Sequence, residues 1–323
     1  MRVVVCPDKF AGTLSAVEAA AAIAQGWLRT RPGDEVRAIP LADGGPGFVE
    51  VLHANLGGTL REEVVADPLG RPVPAQWLQV GDTAYIEAAQ ANGLALLDAG
   101  ERDPWVTSSY GVGQVIDAAR GCPRIVVGLG GSGTNDGGRG AFEALGGRVV
   151  PGLLLATDVD SPLLGPRGAT YGFAVQKGAA VEDLAGLEER MAAWAEQSPD
   201  LAQAPGAGAA GGLGFGLMLL GGRRVSGIDL VAEAVGLGAA CSAADLVITG
   251  EGKFDWQSLH GKVVSGVREV ATQVIVLAGQ VDLPDSPVSA YSLLDSAGER
   301  AFSDPGSALA DLAAQVAGSH PRL

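Results

Sequence analysis

The chain has 323 residues, of which 47% are hydrophobic and 18% charged, with a formal net charge of −15. That length allows two domains and a sizeable core. The acidic balance, with no basic stripe to offset it, excludes nucleic acid as a main partner, because a phosphate backbone demands basic surface.

The opening residues MRVVVCPDKF enter a strand at once, which leaves no room for the apolar run of a signal peptide. Arg2–Cys6 predicts the first strand. SAVEAAAAIAQGWLRT predicts a helix, with Ser15 as N-cap and Glu18 three residues on, the pattern of a capping box. VRAIPLADGG predicts a strand ending in a Gly/Asp loop, and GFVEVLHANLGG a helix closed by glycine. From Thr59 to about Ala88 short alternating runs are broken by Pro and Gly, which predicts a hairpin or meander and a domain boundary nearby. GVGQVIDAARGC predicts a helix, RIVVGLGG a buried strand, RGAFEALGG a helix, and GLEERMAAWAEQ a longer helix with a charged face. Between Asp200 and Arg223 no residue is charged, but eight glycines make a poor membrane span. That stretch predicts a Gly-rich loop leading into a buried helix. ADLVITGEG, QVIVLAGQV and SAYSLLD predict strands, and SALADLAAQVAGSH a final helix. Apolar strands alternating with helices imply an α/β fold with a mostly parallel sheet covered on both faces.

Cys6, Cys122 and Cys241 form no CxxC and pair with no His. They predict a reducing, cytoplasmic setting, no disulfide framework and no zinc site. Cys6 reads as a small buried apolar residue.

Only four lysines, Lys9, Lys177, Lys253 and Lys262, stand against 18 arginines, and each has glycine or aspartate close by. A lysine kept in an arginine-biased chain suggests a compact point charge, whose usual partner is phosphate. In open α/β sheets ligands bind at the carboxyl ends of strands. Four Gly/Asp loops follow predicted strands here.

The richest is GLGGSGTNDGGRG, residues 128–140. Gly130, Gly131 and Gly133 let backbone N–H groups approach a phosphate or carboxylate, and Ser132, Thr134 and Asn135 add donors. Asp136 is a candidate Mg²⁺ ligand. Gly128, Gly130 and Gly133 also match G-x-G-x-x-G. That dinucleotide fingerprint expects a packed helix at once, whereas this loop continues as TNDGG. In PLADGGPGF, residues 40–48, Asp43 is a candidate metal ligand or base, although Asp-Gly favours an Asx turn on its own. TGEGKFDWQSLHGKVVSG, residues 249–266, crowds Glu251, Lys253, Asp255, His260 and Lys262 after a strand. Val263 stands where a P-loop needs Ser or Thr, so a P-loop NTPase is excluded. CPDKFAGTLSA places Asp8 and Lys9 after the first strand. Without Ser-His-Asp logic or a His cluster, these are parts for phosphoryl transfer. Asp would hold Mg²⁺, Lys would meet phosphate oxygens, and a second Asp would take a hydroxyl proton. Asp43, Asp255, Lys9 and Lys253 are the catalytic candidates, and Lys262 joins the 130–135 loop as a candidate for binding ATP.

The segments PDKFAGTLSA, LADGGPGF, GLGGSGTNDGG, DSPLLGPRGATYGFAVQKGA, PGAGAAGGLGFG and TGEGKFDWQSLHGK resemble the successive signatures of the glycerate kinase family, in its bacterial two-domain form. The resemblance covers residues 2 to about 280. It implies ATP- and Mg²⁺-dependent phosphorylation of D-glycerate, mostly at the 2-hydroxyl. It also implies a flavodoxin-like doubly wound domain (1–60 plus 241–323) with a second α/β domain (61–240) inserted in it, the active site lying between them. The expected partner is a small hydroxy acid, with neither nucleic acid nor membrane; a homodimer is left open. The chain departs from the family at Ala11, where lysine is usual, and at Pro46 and Phe48, where Glu and Thr are usual. Two alternatives stay open: a nicotinamide-dependent oxidoreductase using Gly128, Gly130 and Gly133, and a non-catalytic metabolite-binding relative.

Overall fold

The computed structural model describes residues 1–10, 12–259, 263–283 and 285–320. The chain divides into two compact units. One comprises Met1–Ala42, Glu50–Leu56 and Ile228–Leu323; the other comprises Asp43–Val49 and Gly57–Gly227.

In the first unit five strands form one parallel sheet: β1 (Arg2–Val5), β2 (Glu35–Ala38), β9 (Leu246–Phe254), β10 (Val274–Val281) and β11 (Ser289–Ser292), in the order β11-β10-β9-β1-β2. Counted within the unit, that is the flavodoxin-like order 2-1-3-4-5, and the winding reverses between β1 and β9. Val3, Val4 and Val5 are all buried, as are Leu246, Val247 and Ile248, because both faces of a parallel sheet are covered. β2, at the edge, is short and presents Glu35 and Arg37 to solvent, a chemistry that discourages strand addition.

The helix Ala16–Thr30 begins with the capping box read from the sequence: Ser15 Oγ accepts the Glu18 N–H, and the Glu18 carboxylate accepts the Ser15 N–H. Ser15 Oγ also donates to Glu50 at 3.0 Å. Ser15→Ala is expected to lower stability by about 1 kcal/mol, read as the denaturation midpoint in urea. This helix lies against the helix Pro305–Ser319, and the two bury Ile23, Trp27, Leu309 and Val316 in a common core with Val3, Val5 and Ile248.

The strand predicted over ADLVITGEG runs further than its turn residues suggest. β9 continues to Phe254, with Glu251 opposite Ala278 and Lys253 opposite Gln280 of β10. Phe254 drives this extension, since it is fully buried with Val264 and Val276. Glu251 and Lys253 are therefore strand residues, not loop residues.

The second unit holds a mixed sheet in the order β3-β4-β5-β6-β7-β8. β3 (Thr59–Ala66), β4 (Pro72–Val80) and β5 (Thr83–Glu87) form the predicted antiparallel meander. β6 (Arg124–Gly128), β7 (Leu153–Ala156) and β8 (Arg223–Val225) then add in parallel. The core under this sheet gathers Trp77, Ile86, Val115, Val127, Leu155, Leu213 and Leu217. The helix Ala209–Leu219 is largely buried, as its uniformly apolar sequence requires. Its start is left-handed, with φ of 53° at Ala210, 69° at Gly211 and 85° at Gly212. No helix among the described residues is long and apolar enough to cross a membrane. Cys6, Cys122 and Cys241 are free and buried.

Candidate active site

The candidate residues fall into two sets, one in each unit. In the first unit the chain leaves β1 alongside β9: the Cys6 N–H donates to Ile248 O and the Asp8 N–H to Gly250 O, both at 2.8 Å. This carries Asp8 and Lys9 along the carboxyl end of the sheet, where the strand order reverses. Asp8 Oδ1 accepts the Lys9 N–H at 2.7 Å and lies 3.6 Å from Lys9 Nζ. On β9, Glu251 is buried. Lys253 is more than half exposed and pairs with Asp282 at 2.9 Å, while Asp255 stands 4.0 Å away. The hydrogen bond that the Lys253 ammonium donates to Asp282 raises the lysine's pKa, and the same bond lowers that of Asp282. Lys253 thus stays charged across the physiological range, as a phosphate partner must. Asp255 Oδ1 accepts the Gln257 N–H at 2.9 Å, and its own N–H donates to Ser258 Oγ, so it caps the short turn Trp256–Leu259. Ala11, His260 and Lys262 lie outside the described residues.

In the second unit two of the glycine loops are interlocked. A Cβ on Gly128 would sit 2.5 Å from Gly44 O, and one on Gly130 would sit 2.4 Å from Gly45 Cα. Only glycine permits backbones that close. The 43–48 segment is thereby bedded on the 128–131 loop. Asp43 Oδ1 accepts the Gly45 N–H at 3.0 Å, an Asx turn. Glu87, buried at the end of β5, accepts the Gly47 N–H at 3.0 Å. Two of the three residues that depart from the family pattern, Pro46 and Phe48, pack in place. Pro46 covers Gly131, where a Cβ would meet Pro46 Cγ at 2.6 Å, and Phe48 is fully buried edge-on to Tyr85.

The donors predicted in the 130–136 loop divide by exposure. Gly130 and Gly131 are accessible, whereas Gly133, Thr134 and Asn135 are buried. Thr134 Oγ1 accepts from Asn92, Asn135 donates to Thr170, and the Gly133 N–H donates to Asn92 O. These three residues build the loop. Asp136 does the same. Its Oδ1 accepts the Gly138 N–H, and its Oδ2 accepts the Ser109 N–H and Oγ–H and the Gly140 N–H, at 2.8 to 3.1 Å. These four hydrogen bonds make Asp136 the anchor for the start of the helix Arg139–Ala144, with three donors on Oδ2 and one on Oδ1. That helix begins six positions after Gly133, so the dinucleotide fingerprint lacks the helix terminus that receives a pyrophosphate.

Sequence reasoning assigned no role to Lys177. It is 3% exposed, and its Nζ donates to Ser132 Oγ and Thr134 O, both at 2.8 Å. Burial pushes its pKa down to about 7, partly opposed by the Asp136 carboxylate. Its context in the sequence, VQKGA, carried the signal: a lysine beside glycine in a chain that otherwise uses arginine.

A cavity of about 510 Å³ in the first unit includes Leu246, Val274 and Ser289 in its lining. Those residues start β9, β10 and β11, so it lies at the end of the sheet opposite the candidate residues and away from the position where such sheets bind ligands.

The model of the glycerate kinase family matches residues 3–152 and 151–318. An uncharacterized protein of Mycobacterium bovis is 47% identical over 98% of this chain and 91% of its own length. A glycerate kinase of Bacillus subtilis is 39% identical over 91% of this chain and 88% of its own, and a glycerate 2-kinase of Escherichia coli is 39% identical over 87% and 86%. A crystal structure of a protein described as glycerate kinase 2 from Salmonella typhimurium LT2 superposes with a TM-score of 0.81 at 33% identity, covering 99% of this chain and 98% of that one. The matches span both units and every loop described above: the chain belongs to the glycerate kinase family.

Proposed function

We propose that the protein transfers the γ-phosphoryl group of ATP to the 2-hydroxyl of D-glycerate. The bond from the glycerate oxygen to the γ-phosphorus forms in line as the bond to the bridging oxygen of ADP breaks, and the hydroxyl proton passes to a carboxylate. The observation that carries this reading is the interlocked pair of glycine loops in a chain of this family, because it sets accessible backbone at Gly130 and Gly131 against Gly45 and Pro46, in the turn that Asp43 caps. Asp43 is assigned to the hydroxyl proton or to Mg²⁺, and Asp255 is the second candidate for the proton. Lys9 and Lys253 neutralise phosphate charge, and Lys262 is assigned the same task from the sequence.

The donor set fits Mg²⁺ as it arrives with a nucleotide. Among the described residues no three His, Cys, Asp or Glu side chains gather into a metal cage. Mg²⁺ bound to phosphates and water needs only one or two carboxylates. When bound it would neutralise the charge that spreads over the phosphate oxygens. Three buried free thiols suit the reducing cytoplasm in which we place the reaction.

The test is ADP release measured with and without D-glycerate, with the product identified by its ³¹P spectrum. Glycerate-dependent ADP release giving a 2-phosphoglycerate signal is expected. Intact protein that releases no ADP, or releases it equally without glycerate, overturns the reading. Asp43→Asn is expected to lower kcat by about 10²- to 10⁴-fold, the span associated with a lost acid or base group, with a much smaller change in the glycerate KM.

A further inference from the structure

A cavity of about 310 Å³ opens within the second unit, and Lys177 forms part of its wall. Gly130, Gly131, Ser132, Ala210 and Gly211 also line it. Four features mark it as a built site. Lys177 is nine-tenths buried or more, yet Asp136 is the only charged group among the described residues that acts on it. Its Nζ uses two hydrogens, on Ser132 Oγ and Thr134 O, and when protonated carries a third that no acceptor among the described residues takes. Along the loop, the N–H groups of Gly130, Gly131 and Ser132 have no acceptor among the described residues. Opposite them Ala210 holds a left-handed conformation, with φ of 53°, the only non-glycine residue with positive φ among those described. Such strain costs on the order of 1–3 kcal/mol and is retained where the surroundings demand it.

We propose that this cavity is a binding pocket for an oxyanion group, a carboxylate or a phosphoryl, and that Lys177 is its cation. Unused N–H donors and an ammonium hydrogen converging on one space are what such a group needs. The inference deepens the kinase reading and rests on it only for the identity of the anion: the carboxylate of glycerate, or a phosphate of the nucleotide.

Binding has a protonic consequence. With its pKa held near 7 by burial, Lys177 is partly neutral in the free protein at neutral pH. An anion beside it favours the charged form and raises that pKa. Binding therefore takes up a proton: about half at pH 7, nearly one at pH 8 and almost none at pH 6, where the lysine is already charged. Affinity falls with rising pH above 7, by up to about tenfold per unit.

Calorimetric titrations in two buffers of different ionisation enthalpy read this uptake directly. The probes are D-glycerate, inorganic phosphate and a non-hydrolysable ATP analogue. At least one is expected to bind with the uptake described, and its identity names the anion. Lys177→Met is expected to weaken that probe by about ten- to a hundredfold and to abolish the uptake. Val159 lines the same cavity, so Val159→Phe, which fills the space and leaves the lysine and its partners untouched, is expected to block the same probe if Lys177→Met does not fold. Uptake unchanged in either folded variant, or no probe binding with uptake, overturns the pocket. Turnover separates this from the kinase reading. Wild-type turnover with unaltered KM values in folded Lys177→Met removes the pocket and leaves the kinase. Lysine-dependent uptake of phosphate by a protein that does not turn over glycerate does the reverse.

Discussion

Gly130→Ala is expected to lower kcat/KM for glycerate by about a hundredfold or more while the protein still folds. The added methyl would lie 2.4 Å from Gly45 Cα and 3.0 Å from Gly45 N, and neither backbone atom can rotate away. The 43–48 segment must shift by several tenths of an ångström or more, carrying Asp43 with it. Displacement of a reacting group by about 1 Å costs roughly a hundredfold. Overpacking of this kind lowers stability by about 1–3 kcal/mol, which leaves a well-populated native state in an ordinary domain. Gly100 provides the control, because a Cβ there meets nothing within 4 Å. Gly100→Ala is expected to leave both activity and stability near wild type. If Gly130→Ala keeps kcat/KM within a few-fold of wild type, the interlocked loops do not position the chemistry.

Gly26→Ala is expected to destabilise the first unit by about 3 kcal/mol. Helix propensity alone predicts the opposite sign, since alanine is favoured over glycine inside a helix by about 1 kcal/mol. Packing decides: the new Cβ would stand 2.0 Å from Ala310 O and 2.8 Å from Ala310 Cα, on the backbone of the neighbouring helix. Gly238, inside the helix Leu237–Ser242, has no heavy atom within 4 Å of an added Cβ. Gly238→Ala is therefore expected to stabilise by up to about 1 kcal/mol. Differential scanning calorimetry of the pair, with an opposite shift in Tm for each, checks the argument; shifts of the same sign would refute it.

Long elements with a strong period were legible in the sequence. The capping box at Ser15 and Glu18 located the first helix, and the meander from Thr59 onward followed from alternation broken by Pro and Gly. Short elements were not. β7, reading LLLA, and β8, reading RRV, have too few residues to show a period and exist because the sheet supplies neighbours on which they pair. The reach of β9 to Phe254 was hidden for a related reason: Gly250 and Gly252 read as turn residues, while the register with β10 and the burial of Phe254 keep the chain extended. In the candidate site, the polarity of the 128–140 loop was visible but the direction of its groups was not. Asp136 and Asn135 look like ligands in a list of residues, and the structure adds that each also makes hydrogen bonds that build the loop. Lys177 shows the reverse, a residue with no readable role whose depth and partners give it one.

The order of strands in the first sheet also bears on how the chain is made. β1 pairs with β9 across some 240 residues, Val3 against Leu246 and Val5 against Ile248. At a synthesis rate of about 5–20 residues per second, the first strand waits on the order of ten to fifty seconds for that partner. During this interval β1 has only the short, charged β2 on one side, and the edge that β9 will take stays open. The intervening Gly57–Gly227 forms a compact unit together with Asp43–Val49, all of it made before β9, so it can condense while β1 waits. A condensed insert draws the ends of the long loop together, which lowers the entropy that closing β1 against β9 must overcome. Completion of the first sheet then follows folding of the second unit, and variants that slow the second unit leave RVVVC exposed on the nascent chain, available to chaperones and to aggregation.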